Sequence, residues 1–208
     1  MGDRRKLLVF LLVWVALLAG AALLDRTISQ AVQSHKLLAP RQPLVVWWMG
    51  RYWFVLPVAA LLSLLHPWRW RAGALVALAP LPAALAEWLL KWAVGRTRPG
   101  KGIRAFDLQF FRDGLHGLFD EKNLSYPSGH ACAAFAMATA LGICLPRWRA
   151  AWFAVAALVA LQRVLEGAHY SSDVVGGAGI GIISAYVVLR IARAIFPSAA
   201  TEPKVQGT

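Results

Sequence analysis

Three basic side chains lie where a phosphate could bind, each near one end of a predicted apolar helix. Lys91 ends one such segment in LLKWAVGRTRP, Arg98 follows seven residues later, and Arg163 ends another in LQRVLEGAHYSSD. Ionisable residues at such positions are costly in a membrane and are usually functional. An arginine can bind a phosphate through two parallel N–H bonds, so these cations predict an anionic ligand.

The hexapeptide SYPSGH, residues 125–130, precedes the long apolar run ACAAFAMATALGICL. Ser128, Gly129 and His130 would then lie at a helix start, where free backbone amides and the positive end of the helix dipole bind phosphate. Gly129 has no side chain that would keep an anion from the backbone. The pattern predicts a phosphate site at the beginning of this helix.

Two histidines fit the chemical roles that phosphoryl transfer requires. His169 and Asp173 are four residues apart, one turn of a helix. A carboxylate at one ring nitrogen makes the other nitrogen a better nucleophile, although Asp173 could also cap the last helix. His130 could protonate the leaving oxygen. No acidic cluster suited to magnesium is visible and the cations could neutralise the phosphate, so we expect neither a metal nor a cofactor.

These residues lie in a chain that is too apolar for an ordinary soluble domain. Hydrophobic residues make up 59% of its 208 positions, and the mean hydropathy of +0.55 indicates membrane spans. The formal charge is +12, but the basic residues are scattered, unlike the basic block of a nucleic-acid binder. We therefore expect a membrane and anionic lipids as partners, and no nucleic acid.

Six apolar segments predict an all-α, six-transmembrane helical bundle, because each approaches the ~20 residues that cross a bilayer core. They are residues 7–24, 44–65, 73–92, 130–145, 150–165 and 174–196. With no repeat and no linker, residues 1–208 are predicted to form a single integral-membrane domain. The first segment follows a basic N-terminus and could pass for a signal peptide, but its length favours a retained first helix.

The order of these segments places the long connections, 25–43 and 93–129, at the same membrane face as the candidate chemistry. Short basic turns and a basic N-terminus on the other side favour cytoplasmic termini. We predict a bacterial inner-membrane protein whose active site faces the non-cytoplasmic side. Residues 106–124 mix aromatic and charged side chains, which favours a lid or an interfacial helix over the cleft, with an ordered loop as the alternative.

The candidate residues resemble, in order and spacing, the three motifs of the type 2 phosphatidic acid phosphatase superfamily. That family includes lipid phosphate phosphatases and vanadium haloperoxidases, and its motifs read K-x6-RP, PSGH and SR-x5-H-x3-D. This chain has Lys91-x6-Arg98-Pro99, Pro127-Ser128-Gly129-His130 and Gln162-Arg163-x5-His169-x3-Asp173. The resemblance covers about residues 85–180, and three spaced motifs are far more specific than PSGH alone.

The resemblance implies a role for each motif residue. His169 would form a phosphohistidine that water then hydrolyses, with Asp173 beside it and His130 as the acid. The phosphate would be held by Lys91, Arg98, Ser128, Gly129 and Arg163. Gln162 departs from the pattern because the motif has a serine there, a secondary phosphate contact that an amide donor could replace.

Three charged neighbours lie outside the fixed motif positions. Glu87, one turn before Lys91, is expected to orient that lysine, with simple helix packing as an equal alternative. Arg96 is expected to contact the membrane interface or a headgroup. Glu166 would either offset Arg163 or reach a substrate hydroxyl.

The function predicted by these residues is metal-independent hydrolysis of a lipid phosphate monoester or diphosphate that enters from the bilayer. Polyprenyl diphosphates, such as undecaprenyl diphosphate, and phosphatidyl-type phosphates lead the candidate substrates, followed by the phosphates of lipid A. A phosphotransferase of the same fold, which passes the phosphoryl group to a second lipid, is the alternative enzyme. An anion channel or transporter and a non-catalytic lipid-binding scaffold are the alternatives outside enzymes.

Overall fold

The computed structural model describes residues 2–35, 45–66, 70–100, 110–111 and 123–196. This part of the chain is helical and contains no β-strand apart from an isolated antiparallel bridge between Thr97 and Leu124. The α-helices are α1 (Gly2–His35), α2 (Val45–Met49), α3 (Val55–Leu65), α4 (Trp70–Leu78), α5 (Pro80–Val94), α6 (Gly129–Cys144), α7 (Arg149–Leu165) and α8 (Ser171–Ile195). The prediction of an all-α fold is confirmed.

Four helical stretches in the described ranges are long and apolar enough to cross a membrane. They are Arg4–His35, Trp70–Val94, Pro146–Leu165 and Ser171–Ile195. Two further apolar stretches, Tyr52–Leu65 and Gly129–Cys144, are shorter. The outward faces of the helices carry large apolar side chains, with Leu23 83% and Leu64 80% exposed. Such a surface is unfavourable in water and is the one expected of an integral membrane protein.

The first helix is longer than the apolar pattern predicts. A connection was expected from residue 25 onward, but α1 continues to His35. Asp25 is fully buried within it and is paired with Arg96 from the segment after α5. The carboxylate therefore does not end the helix, because a tertiary ion pair satisfies it inside the protein.

The predicted segment 44–65 is interrupted, which corrects the expectation of one continuous helix. It contains α2, a bend at Gly50 and Arg51, a short 3-10 helix (Tyr52–Phe54) and α3. A Cβ atom on Gly50 would lie 2.7 Å from the ring of His130. The bend thus lets the backbone contact that histidine directly.

Helix α6 lies at the centre of the described bundle and is buried along nearly its whole length. It packs against α7 and α8. A Cβ atom on Gly177 would lie 2.6 Å from the carbonyl oxygen of Ser128, and one on Gly181 would lie 2.4 Å from that of Cys132. Small residues on α8 therefore allow close backbone contact, which brings the first turns of α6 and α8 together.

The predicted lid or interfacial helix at residues 106–124 lies outside the described residues, apart from positions 110–111 and 123–124.

Candidate active site

The ends of several helices meet around a cavity of about 280 Å³. Its lining residues are Gly50, Arg51, Tyr52, Trp53, Glu87, Lys91, Arg98, Gly129, His130, Arg163 and His169. The structure thus brings together six of the eight residues that the motifs single out. The other two, Ser128 and Asp173, are buried directly beside it, before Gly129 and behind His169.

Lys91 is held in place by a buried carboxylate. Its Nζ lies 2.6 Å from Oε1 of Glu87, one turn earlier on α5, and Tyr52 Oη donates a 2.7 Å hydrogen bond to Oε2 of the same residue. A Cβ atom on Gly129 would lie 2.2 Å from this carboxylate. Glu87 therefore orients Lys91, in agreement with one of the two interpretations of the sequence. Because its carboxylate lies so close to the backbone, only a glycine fits at the start of α6.

Three buried polar atoms near the first turn of α6 make no hydrogen bond to any described residue. They are Ser128 Oγ, His130 Nε2 and Arg163 Nε. The Ser128 backbone, in contrast, is fixed by donation to the carbonyl of Asp173 at 3.1 Å. Buried polar atoms are rarely left unsatisfied, so this group of atoms marks a place where an anionic ligand would supply the missing partners.

Arg163 is paired with Glu166, whose other carboxylate oxygen accepts a 2.7 Å hydrogen bond from Gln162 Nε2. Glu166 therefore offsets the arginine. The Gln162 amide is directed to Glu166 and not to the cavity that would hold the phosphate. The carbonyl of Arg163 accepts hydrogen bonds from the backbone N–H groups of Ala168 and His169, at 3.1 and 3.2 Å, which links the two motif positions.

His169 has a defined tautomer in this structure. Its Nδ1 lies 2.9 Å from the backbone carbonyl oxygen of Ser125, while the nearest carboxylate oxygen of Asp173 is 3.6 Å away. A carbonyl can only accept, so Nδ1 carries the proton and Nε2 keeps its lone pair. Burial lowers the pKa of His169 to about 4; Asp173 opposes that lowering, and Arg98 and Arg163 add to it. A neutral, nucleophilic imidazole results at ordinary pH.

Asp173 belongs to a buried network behind His169. Its carboxylate accepts hydrogen bonds from Arg96 Nη1 at 2.7 Å, from the backbone N–H of Tyr170 at 2.8 Å, and from Ser125 Oγ. The hydrogen bond from the Tyr170 backbone caps α8. Asp173 therefore both caps this helix and lies beside His169. The expectation that Arg96 contacts a headgroup is wrong: Arg96 is only 3% exposed.

Asp25 completes this network from α1. It lies 2.8 Å from Arg96 Nη2, and it accepts hydrogen bonds from Ser171 Oγ at 2.6 Å and from the backbone of Ser172 at 2.9 Å. The sequence pattern did not predict that Asp25, Ser125 and Ser172 belong to this network. A lone carboxylate at the predicted end of an apolar span was the one available signal.

A short pairing of extended chain joins the first two motifs. Ser125 donates its backbone N–H to the carbonyl of Arg96 at 2.7 Å, and Arg98 donates to that of Asn123 at 3.1 Å. Ser125, whose carbonyl accepts a hydrogen bond from His169, is thereby fixed to the segment that carries Arg98. The three motifs are distant in sequence but connected by backbone hydrogen bonds.

The bend before α3 contributes residues to the cavity that the motifs did not predict. Arg51, Tyr52 and Trp53 all line the cavity. An arginine inside a predicted apolar span is itself a sign of function, and the assignment of 44–65 to one continuous helix hid it.

Two solved structures have a similar fold. Aquifex aeolicus LpxE superimposes with a TM-score of 0.59 at 24% identity, covering 80% of this chain and 95% of that one. The first transmembrane PAP2-type phosphatidylglycerolphosphate phosphatase from Bacillus subtilis superimposes with a TM-score of 0.58 at 24% identity, covering 90% and 96%. At these identities the similarity is evidence of a shared fold alone.

Curated relatives share a shorter stretch of sequence. The Lipid A 1-phosphatase of Rhizobium etli is 38% identical over 93 residues, which is 45% of this chain and 38% of that protein. The match thus spans little more than a third of the relative's length. The family model of the PAP2 superfamily matches residues 68–197, a range that contains all three motifs and more than half of the chain, and the chain therefore belongs to that superfamily.

Proposed function

We propose that this protein is a metal-independent membrane phosphatase that releases inorganic phosphate from a lipid phosphate through a phosphohistidine at His169. The observation that carries the proposal is the convergence of Lys91, Arg98 and Arg163 with both histidines on one cavity. Cations fixed in a partly dehydrated site stabilise the charge that develops on a transferring phosphoryl group.

The reaction needs two steps. Nε2 of His169 attacks phosphorus, the bond from phosphorus to the ester oxygen breaks, and that oxygen leaves with a proton from His130. A water molecule then gives a proton to His130 and attacks phosphorus, which breaks the N–P bond and releases phosphate. Asp173 stabilises the imidazolium character that His169 gains during attack.

The phosphate would be held by the remaining motif residues. Lys91 and Arg163, each braced by a carboxylate, would contact its oxygens together with Arg98. Ser128 Oγ and the free amides of the first turn of α6, beginning at Gly129, would supply neutral donors. These contacts need no metal ion.

We propose six membrane passes for the whole domain, 1–208, including the two shorter stretches Tyr52–Leu65 and Gly129–Cys144. The 16 residues of α6 span roughly 24 Å at ~1.5 Å per residue. Because α6 is enclosed by its neighbours, it can begin below the membrane surface, where the cavity lies. The active site would face the non-cytoplasmic side of a bacterial inner membrane, with cytoplasmic termini.

The substrate class follows from the site and from the relatives. A lipid phosphate monoester or diphosphate fits a cation-lined cavity beside apolar helix faces, and the Rhizobium relative is named as a lipid A 1-phosphatase. Lipid A, polyprenyl diphosphates and phosphatidyl-type phosphates are therefore the compounds to compare.

The decisive assay measures phosphate release by purified protein in detergent, with each lipid class, with and without EDTA. Release should persist in EDTA and should fall by at least about 10³-fold in His169→Ala, because the nucleophile is lost. His35→Ala, an exposed histidine at the end of α1, is the matched control and should keep the wild-type rate. Unchanged release in His169→Ala, or loss of release in EDTA, would refute the proposal.

A further inference from the structure

The bend before α3 places Arg51 at the cavity on the side of His130. Gly50 packs directly on the His130 ring, a contact that is possible because glycine has no Cβ atom. The guanidinium of Arg51 lies 4.8 Å from the centroid of the Trp47 ring, and that ring lies 5.5 Å from the centroid of His130. Arg51, Trp47 and His130 thus form one continuous group, which contains the proposed acid, His130, and not the proposed nucleophile, His169.

Arg51 differs from the motif cations in its partners. Glu87 braces Lys91 and Glu166 braces Arg163, whereas no carboxylate in the described part of the chain lies within ion-pair distance of Arg51. Stacking on an indole face orients a guanidinium but leaves its N–H donors available. Arg51 is therefore oriented and can still bind an anion.

Arg51 adds a fourth cation to the three that the motifs contribute to the cavity. Glu87 and Glu166 offset Lys91 and Arg163, whereas the charge of Arg51 is available to a ligand. A diphosphate carries more negative charge than a phosphate monoester, which brings about two charges, so the added cation favours the diphosphate. The cavity is lined by both His169 and Arg51, so a second phosphate group beside the one at His169 could contact Arg51.

We propose that Arg51 binds a second phosphate group of the substrate, on the leaving-group side of the reacting phosphate, and so makes the cavity selective for lipid diphosphates over lipid monophosphates. This inference rests on the proposed phosphatase function and narrows its substrate class. Arg51 precedes residues 68–197, which match the family model, so this selectivity belongs to a segment outside the shared core.

The reaction on a diphosphate balances with the groups already assigned. His169 Nε2 attacks the terminal phosphorus, and the bond from that phosphorus to the bridging oxygen breaks. The bridging oxygen leaves as part of a lipid monophosphate and takes the proton of His130. Arg51 neutralises the charge on this leaving phosphate, and water later releases the terminal phosphate from His169.

The test compares two substrates that share one tail, farnesyl diphosphate and farnesyl phosphate. Disappearance of each is followed by chromatography with wild type, Arg51→Gln and Arg51→Lys. Arg51→Gln should lower kcat/KM for the diphosphate by about 10- to 100-fold, the usual effect of losing hydrogen bonds to a charged group. The monophosphate should lose less than about threefold, and Arg51→Lys should fall between Arg51→Gln and wild type.

Arg71→Gln is the matched control. Arg71 also stacks on a tryptophan, with its guanidinium 5.7 Å from the Trp70 centroid, but it is exposed and lies about 30 Å from Lys91 along the Trp70–Val94 stretch. This variant should treat both substrates as wild type does. Equal losses for both substrates in Arg51→Gln, or the same selectivity change in Arg71→Gln, would overturn the assignment of Arg51.

A binding measurement separates this inference from the proposed function. Farnesyl methylenediphosphonate, which cannot be cleaved at the bridge, and farnesyl phosphonate are titrated into wild type and Arg51→Gln by calorimetry. The diphosphonate should lose about 10-fold or more in affinity in the variant, and the phosphonate should not. The phosphatase proposal is tested separately by phosphate release from the three lipid classes. If wild type cleaves neither farnesyl substrate, this titration alone supports or refutes the role of Arg51.

Discussion

The two sides of His169 differ in how completely their polar groups are satisfied. In front lies a cavity lined by cations, where Arg163 Nε and His130 Nε2 make no hydrogen bond to any described residue. Behind lies a network in which Asp25 and Asp173, both fully buried, share Arg96, whose Nη1 and Nη2 are bonded while Nε makes no hydrogen bond to a described residue. We propose that the front receives a charged ligand and that the back keeps the His169 imidazole in one position.

Arg96 and Arg98 show this difference within three residues of chain. Arg98 lines the cavity, whereas Arg96 faces the buried network and connects α1 to the first turn of α8. We therefore propose unlike roles for these identical side chains, ligand binding for Arg98 and positioning for Arg96. Substitutions at these two sites should separate stability from activity.

Arg96→Met should have the largest effect on stability. It leaves two buried carboxylates without their shared cation, and breaking a buried ion pair of this kind costs about 3–5 kcal/mol. Thermal unfolding in detergent should show a marked fall in Tm, with activity lost as His169 loses its support. An unchanged Tm would contradict the buried network.

Arg98→Met is the matched comparison, because it removes the same group from the cavity side. It should lower kcat/KM by about 10²–10³-fold, as the loss of one transition-state donor does. It should lower Tm less than Arg96→Met does, because the hydrogen bond from Arg98 to the carbonyl of Ala168 stabilises the fold less than the two buried ion pairs of Arg96 do. If Arg98→Met also unfolds the protein at low temperature, the division between the two arginines fails.

The pH dependence of kcat/KM tests whether His169 is buried, because burial lowers the pKa of its imidazole. Burial lowers its pKa to about 4, so the proposed nucleophile stays neutral until the pH falls to that value. The acid limb of kcat/KM, which reports the free enzyme, should lie near pH 4. A limb near the ordinary histidine value of ~6.5 would contradict burial of the nucleophile.

The lowered pKa of His169 also makes the stability of the fold depend on pH. Between about pH 6.5 and about pH 4 the unfolded chain binds a proton on this histidine that the folded chain does not. The contribution of His169 to stability therefore falls as the pH is lowered through that window. His169→Gln should flatten this part of a curve of Tm against pH.

Gln162 should show the smallest effect, and a double-mutant cycle sharpens its role. Its amide donates to Glu166, so Gln162→Ala should reduce kcat/KM by roughly 10-fold or less, the range of one hydrogen bond. Glu166→Gln should reduce it further, because it also removes the ion pair with Arg163. The double variant should be less than additive because Gln162 acts through Glu166. Full additivity would favour a direct phosphate contact by Gln162.

The sequence predicted the front of the site far better than the back. Motif spacing and helix ends pointed to Lys91, Arg98 and Arg163, because an ionisable residue in an otherwise apolar chain is rare and usually functional. The partners of Asp173 could not be predicted in this way. Asp25 lies 148 positions earlier, and only the packing of α1 against α8 makes the two carboxylates neighbours of one arginine.

The fold shows the same limit. Apolar periodicity located the helical stretches, since burial in lipid requires them. It placed the end of α1 too early, because a tertiary ion pair satisfies Asp25 inside the helix. It also missed the bend at Gly50, because the close approach to His130 that requires a glycine there is a tertiary contact.

The central claim is that His169 Nε2 becomes covalently phosphorylated during turnover. Protein that is turning over a phosphorus-labelled lipid phosphate is denatured under alkaline conditions, digested and mapped by mass spectrometry. We predict a labelled phosphoryl group on His169 in wild type and none in His169→Gln, which should also release no phosphate. Label on a different residue, or phosphate release by His169→Gln at the wild-type rate, would contradict the account.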